Sequence, residues 1–252
     1  MIDILSVHMT ALKQQRTVRV YLPKNYHLKD KRFPVLYMHD GQNVFSDREA
    51  IGGVSLGLES FLDKHEIELI VVAIDQNPNE RMNEYCPWEI GEYSFKHFGA
   101  APLPGGKGKD YVDFLVHELK PQIDQTYKTI PKDTAIAGIS LGGLISTYAA
   151  VSFPQVFNKV AAFSSAFFRN QEELEKLIKE SDLTGLEGFY LDCGDCEAKE
   201  EKMNNHFMES NERIYHLLGE KIQNVRCVII KDGEHHYDHF KERVPEIIKS
   251  FL

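Results

Sequence analysis

Cysteine is scarce in this chain: four in 252 residues, at positions 86, 193, 196 and 227. That is too few to staple a chain of this length, so a disulfide scaffold is excluded and a reducing compartment is expected. A basic surplus is also missing. Thirty-eight acidic residues outnumber 29 lysines and arginines, leaving a formal charge of −9. This argues against nucleic acid and against an anionic membrane surface as partners. No apolar run approaches the roughly 20 residues of a membrane span. The start, Met1-Ile2-Asp3-Ile4-Leu5, has neither a basic flank nor an apolar stretch, so no secretory signal is expected and the cytoplasm is the predicted location. What remains is 42% hydrophobic, enough for a sizeable core. The length suits one large α/β domain or two small ones.

The most informative stretch is 134–147, Thr-Ala-Ile-Ala-Gly-Ile-Ser-Leu-Gly-Gly-Leu-Ile-Ser-Thr. A buried strand at 134–137 meets Gly138-Ile139-Ser140-Leu141-Gly142, and a helix rich in small and apolar residues follows over 144–151. Strand, G-x-S-x-G turn and helix together are the context of a nucleophile elbow. A serine at such a tip needs glycines where a side chain would strike the flanking elements, which assigns that role to Gly138 and Gly142. The helix that begins just after Ser140 aims its free N–H groups and positive dipole end at the site, so Leu141 N–H is an expected donor to an oxyanion.

Elsewhere, strands are expected at 3–10, 17–22, 34–38, 69–74, 159–164, 188–192 and 225–230. Helices are expected at 55–65, 108–127, 171–180, 198–219 and 240–251, with Pro121 kinking or breaking the second of these. After the first two strands, strand and helix alternate. This predicts an α/β class with a mostly parallel sheet covered on both faces. No repeat or linker divides the chain, so a single domain over 1–252 is the expected count. Residues 76–106 stand apart, with four of the ten prolines and the only tryptophan. A loop this long inside a compact domain is usually functional. It is read as a lid or wall of the substrate site, with Trp88, Tyr85 and Arg81 as candidate substrate contacts.

A serine hydroxyl needs a histidine base held by a carboxylate. On this topology the acid and then the histidine follow in chain order, each after a late strand. The last strand runs into Lys231-Asp232-Gly233-Glu234-His235-His236-Tyr237-Asp238-His239. His235 is the first histidine past the turn and the favoured base, with His236 and His239 as competitors. The preceding strand runs into Cys193-Gly194-Asp195-Cys196-Glu197. Asp195 and Glu197 both qualify as the acid, while Asp192 is still within the strand. The loop after strand 34–38, His39-Asp40-Gly41-Gln42-Asn43, supplies Gln42 N–H as the second oxyanion donor, with Gly41 letting the chain approach the substrate. Cys193-x-x-Cys196 with the three histidines could compose a metal site, but the triad reading uses the same residues better, so neither metal nor cofactor is expected.

Four stretches taken in order resemble an esterase family of α/β-hydrolases that includes feruloyl esterases, siderophore-ester hydrolases, S-formylglutathione hydrolases and mycolyltransferases. They are Pro34 to Phe45, Arg81-Met82-Asn83-Glu84-Tyr85, Ala137 to Leu144, and Gly233-Glu234-His235. The resemblance implies an α/β-hydrolase fold and metal-free, serine-dependent hydrolysis of carboxylic esters. It further implies that the triad acid lies three residues after Gly194, at Glu197. Two departures limit it. The region after His235 reads Tyr237-Asp238-His239-Phe240, where the family often carries a tryptophan, and the elbow differs from the S-formylglutathione hydrolase version. The expected activity is therefore serine carboxylic-ester hydrolysis of a small-molecule ester through an acyl-enzyme. A siderophore tri-lactone hydrolase and an acyltransferase are the specialised alternatives, and a non-catalytic binding protein is the alternative of another class.

Overall fold

A computed structural model describes residues 1–28, 30–98 and 105–251. Residues 99–104, part of the expected lid or wall, lie outside the described residues. The strands are β1 (Ile2–Met9), β2 (Gln14–Tyr21), β3 (Phe33–His39), β4 (Ile70–Ile74), β5 (Thr129–Ile139), β6 (Lys159–Phe163), β7 (Gly188–Cys196) and β8 (Val225–Glu234). They form one eight-stranded sheet in the order β1-β2-β4-β3-β5-β6-β7-β8. β1 and β2 pair antiparallel, β2 joins β4 antiparallel, and every later pairing is parallel. The helices are α1 (Leu58–Lys64), α2 (Arg81–Tyr85), α3 (Glu92–Phe98), α4 (Gly108–Phe114), α5 (Lys120–Thr126), α6 (Leu141–Ser152), α7 (Gln171–Glu180), α8 (Glu201–Gly219) and α9 (Tyr237–Phe251).

The central strands are continuous apolar runs because both of their faces are covered. Alternate residues of β4 divide between two cores. Ile70, Val72 and Ile74 pack with Leu115, Leu144, Leu174 and Ile214 from the α4–α8 side. Val71 and Ala73 pack with Leu58 and Leu62 of α1 and with Phe240, Val244 and Ile248 of α9. This is the mostly parallel α/β sheet, covered on both faces, that the alternation of the sequence predicts.

Three local differences from that reading have physical causes. The stretch 76–98 is not all loop: α2 is pinned by a buried ion pair from Glu84 to Arg16 of β2, at 2.8 Å. Pro121 does not break its helix. The chain widens into a π-helical turn over Leu115–Leu119 immediately before it, which absorbs the missing N–H and the ring clash. Strands β7 and β8 also run on further than expected, and Cys196 pairs with Glu234 across a register shift after Gly194. Asp195 is therefore still in the strand, and only Glu197 lies beyond it.

Candidate active site

Ser140 sits between β5 and α6 at φ 61° and ψ −119°, a left-handed backbone that L-residues rarely adopt. Main-chain bonds hold it there. Ser140 N–H donates to Phe163 at 2.9 Å, and its carbonyl accepts from Gly143 at 3.0 Å, Ala166 at 3.1 Å and Leu144 at 3.2 Å. A Cβ on Gly138 would lie 2.3 Å from the carbonyl of Gly142, so the strand can meet the helix this closely only with glycine there. Gly142 is different: a Cβ on it would meet nothing closer than His39 at 3.4 Å, so the turn does not require glycine at 142 for room.

His235 follows β8, and its Nδ1 lies 2.6 Å from Glu197 Oε2. The Glu197 side chain is fully buried while the histidine is one-third exposed. The other carboxylate oxygen accepts from Gly194 N–H at 2.6 Å and from the Ser164 hydroxyl. Burial alone would raise the pKa of Glu197, but the His235 contact and these two donors outweigh it and hold the carboxyl below its ordinary value. The competitors sit elsewhere. His236 is exposed and faces Asp238 at 3.0 Å, and His239 lies within α9, its ring beside Glu234 N–H. Asp195 touches neither His235 nor Ser140 in any hydrogen bond among the described residues.

Residues that the sequence did not single out complete this arrangement. Ser164, at the end of β6, accepts from the Arg243 guanidinium at 2.8 Å, and Arg243 also holds the buried Asp192 at 3.0 Å. The pair Ser164-Ser165 closing a buried strand was the available signal. Nothing in the sequence pointed to Arg243, which reaches in from α9.

The turn Gly41–Asn43 leaves β3, the neighbour of β5, beside the Ser140 turn. The N–H groups of Leu141 and Gln42 donate to no other group among the described residues. The Gln42 side chain is tied to the main chain of Gln76 by two bonds of 2.9 Å. Gly41 plays a part other than the expected approach to substrate. A Cβ there would lie 2.8 Å from the main chain of Ile74, so it lets this turn rest on the end of β4.

Of the three candidate substrate contacts, one faces the site. Ser140, Leu141, Glu197 and His235 line a cavity of about 380 Å³ together with Arg81, Arg169 and the apolar side chains of Met82, Phe98, Ala166, Phe168, Met203 and Phe207. Arg81 is held by a two-pronged bond to Asp40, at 2.7 and 2.8 Å. Tyr85 is a correction. It is fully buried, beneath Arg81 and against His39, with its hydroxyl on Asp40 N–H. Trp88 is another: it packs edge-on to Tyr148 of α6, away from the cavity, because that helix offers it an apolar face. From the 76–98 stretch, Met82 and Phe98 line the wall instead. A wider hollow of about 840 Å³ beside α3, lined by residues such as Tyr93, His97, Glu209 and Arg213, has no serine, threonine or cysteine among the described residues of its wall.

The alternative metal arrangement is not assembled. Cys193 is buried with its thiol on the Gly194 carbonyl, whereas Cys196 is exposed. Among the described residues the three side chains that approach to ligand distance are Asp195, Cys196 and Asp232. No helix among them is long and apolar enough to cross a membrane.

Comparison with known proteins identifies the fold and the family. The protein YbbA of Bacillus subtilis (strain 168), itself uncharacterized, is 27% identical over 234 residues, covering 89% of this chain and 88% of its own. An IroE-like serine hydrolase from Shewanella oneidensis superposes with a TM-score of 0.76 at 17% identity, over 100% of this chain and 81% of that one. The siderophore hydrolase EstA from Aspergillus nidulans gives 0.73 at 15% identity, over 100% and 95%. The family described as "Putative esterase" matches residues 9–251, and the chain therefore belongs to this family of ester hydrolases on the α/β-hydrolase fold.

Proposed function

We propose that the protein is a serine carboxylic-ester hydrolase that works through an acyl-enzyme. One observation carries this reading. Ser140, in its strained turn, lines the same cavity as a histidine whose Nδ1 is bonded to a buried carboxylate at 2.6 Å. In the first half-reaction the Ser140 hydroxyl gives its proton to His235 Nε2 as its oxygen bonds to the ester carbon. Glu197 accepts the Nδ1–H and stabilises the imidazolium that forms. The carbonyl oxygen becomes an oxyanion within reach of donors at Leu141 and Gln42, whose free N–H groups support that role. When the tetrahedral adduct collapses, the carbon–oxygen bond to the alcohol breaks and His235 returns the proton to the departing oxygen. Water then repeats both steps on the acyl-serine, releasing the acid and regenerating Ser140.

A tri-lactone of the siderophore type is a second reading. Phe98 and Phe168 stack at 4.1 Å in the cavity wall, a surface suited to flat aromatic acyl groups, and EstA is by name a siderophore hydrolase. The four unpaired cysteines, one of them exposed, favour a reducing compartment such as the cytoplasm. The test pairs chemistry with mutation. A serine-directed phosphonate is expected to label Ser140 alone, and Ser140→Ala to lower turnover of a small aryl ester by several orders of magnitude with the fold intact. Labelling elsewhere, or activity within about tenfold of the wild type, would remove the proposal.

A further inference from the structure

The cavity beside Ser140 contains a cation with no counter-ion among the described residues. Arg169 sits in the short turn Phe167–Asn170 that follows β6, with its guanidinium 5.2 Å over the Phe168 ring. Its main chain is fixed, the carbonyl accepting from Gly91 N–H at 3.1 Å. Its side chain is half-buried, lines the cavity, and forms no hydrogen bond or ion pair among the described residues. The other arginines withdrawn from solvent are all matched: Arg16 with Glu84 at 2.8 Å, Arg19 with Asp75 at 2.8 Å, Arg81 with Asp40 at 2.7 Å and Arg243 with Asp192 at 3.0 Å.

Among the described residues nothing nearby neutralises Arg169. The ionisable group beside it is the Cys86 thiol, which burial pushes up to about 11, so it is uncharged at neutral pH. Burial likewise lowers the pKa of Arg169 itself, the mark of a cation that has lost water without gaining a carboxylate. Residues 99–104 read Gly-Ala-Ala-Pro-Leu-Pro and bring no acidic side chain. Among the described residues the one acid lining the cavity, Glu197, already faces His235. A positive site thus stands in a chain whose formal charge is −9. A guanidinium presents a rigid fork of donors that matches a carboxylate two-to-two, and it loses less on desolvation than an ammonium.

We propose that Arg169 binds a carboxylate on the substrate, so that the preferred ester carries a free acid group in addition to its reacting carbonyl. This rests on Ser140 being the nucleophile in the same cavity. The remaining lining, Met82, Phe98, Phe168, Met203 and Phe207, suits an apolar spacer between the two groups.

Matched pairs of esters test the proposal. In one arm the acid lies on the acyl side: nitrophenyl half-esters of four- to eight-carbon diacids, each against the same compound with its free acid methylated. In the other it lies on the alcohol side: butyrate esters of hydroxy acids against their methylated forms. Uncatalysed rates are subtracted. At low salt, kcat/KM for the charged member is expected to exceed that of its neutral partner by about tenfold to a hundredfold in one arm, mainly through KM, as a charge-assisted bond would give. High salt should compress the ratio. Arg169→Gln should bring the ratio towards one, and Arg169→Lys should restore part of it. If neutral esters turn over and Ser140 is labelled, but no charged ester is preferred at any chain length, the proposal is overturned and the esterase reading stands. If no ester turns over and Ser140 is unlabelled, both fall. Should Arg169→Gln fail to fold, the wild-type ratio and its salt dependence decide the matter.

Discussion

Replacing Glu197 with glutamine changes the direction of a single hydrogen bond. The carboxylate now accepts at both ends: from His235 at Oε2, and from Gly194 N–H and the Ser164 hydroxyl at Oε1. The Ser164 oxygen is itself occupied by the Arg243 guanidinium, so its proton is directed at Glu197. Two donors at the Oε1 position will hold the amide oxygen of a glutamine there, leaving its NH₂ towards His235. Nδ1 must then accept, the proton moves to Nε2, and in the proposed mechanism His235 can no longer take a proton from Ser140. The wrong tautomer costs about 10⁴-fold in a comparable triad, equivalent to about 5 kcal/mol. Flipping the amide would restore the tautomer but break two bonds at about 1 kcal/mol each or somewhat more. At roughly 2–3 kcal/mol, only about 0.6–3% of molecules would be flipped, so the loss should be about 30- to 160-fold if the flipped form is fully active and up to about 10⁴-fold if it is not. The assay is kcat on an activated neutral ester, with circular dichroism to verify the fold. Asp195→Asn, in the strand and outside this network, should lose less than about tenfold. Glu197→Gln within tenfold of wild type, or a greater loss at Asp195, would refute the reasoning.

Two further measurements probe the surroundings of the site. His39 is fully buried beneath the β3 turn with Nδ1 on the Tyr111 hydroxyl at 2.9 Å, and burial lowers its pKa to about 4. As pH falls below about 6.5 the unfolded chain takes up a proton that the folded chain refuses. Stability should therefore decline progressively down to about pH 4, by up to about 3 kcal/mol from this residue. Urea titrations at pH 7 and 4.5 should show a smaller difference for His39→Gln than for wild type, and an equal difference would contradict the assignment. Trp88→Ala, stripping an aromatic from the face of α6, should cost about 2 kcal/mol, less than truncating a fully buried ring. Phe98→Ala should alter the ranking of acyl groups more than Trp88→Ala does, as a panel of aryl esters would reveal.

Fold and site were legible in the sequence to different depths. The alternation of apolar runs with helical periods gave the sheet and its covering because each β strand buried on both faces must be apolar throughout. The Ser140 turn was legible because Gly138 is dictated by a backbone contact only glycine allows. The 76–98 stretch was legible only as unusual. Its first short helix, α2, is held by Arg16–Glu84 and by Arg81–Asp40, pairs 68 and 41 residues apart, and no local pattern announces such partners. For the same reason the aromatic side chains there misled. Tyr85 and Trp88 look like substrate contacts in a loop, but a large ring is as useful for sealing a helix against a core, and burial decided between the two uses. Arg169 was overlooked because an unpaired arginine is recognised by what fails to lie near it, which only the assembled structure records.

The spacing from Gly194 to Glu197 has a physical basis in the bulge between β7 and β8. The register shifts after Gly194 while the strand continues to Cys196, and the side chain at 197, the first residue past the strand, closes onto the N–H of residue 194 at 2.6 Å. That contact satisfies a donor on the side of β7 where its neighbour β6 has already ended at Phe163, and it fixes one oxygen of the carboxylate to the sheet. The second oxygen is then free to face His235 across the β7–β8 edge. An aspartate is one methylene shorter, so at this position it would have to give up one contact to make the other. Ser164 ties the same carboxylate to the end of β6, and Arg243 ties Ser164 to Asp192 within β7. The orientation of His235 is thus set by two adjacent strands and by α9 rather than by a loop. Buried, fully bonded groups of this kind hold a geometry that exposed loop residues cannot.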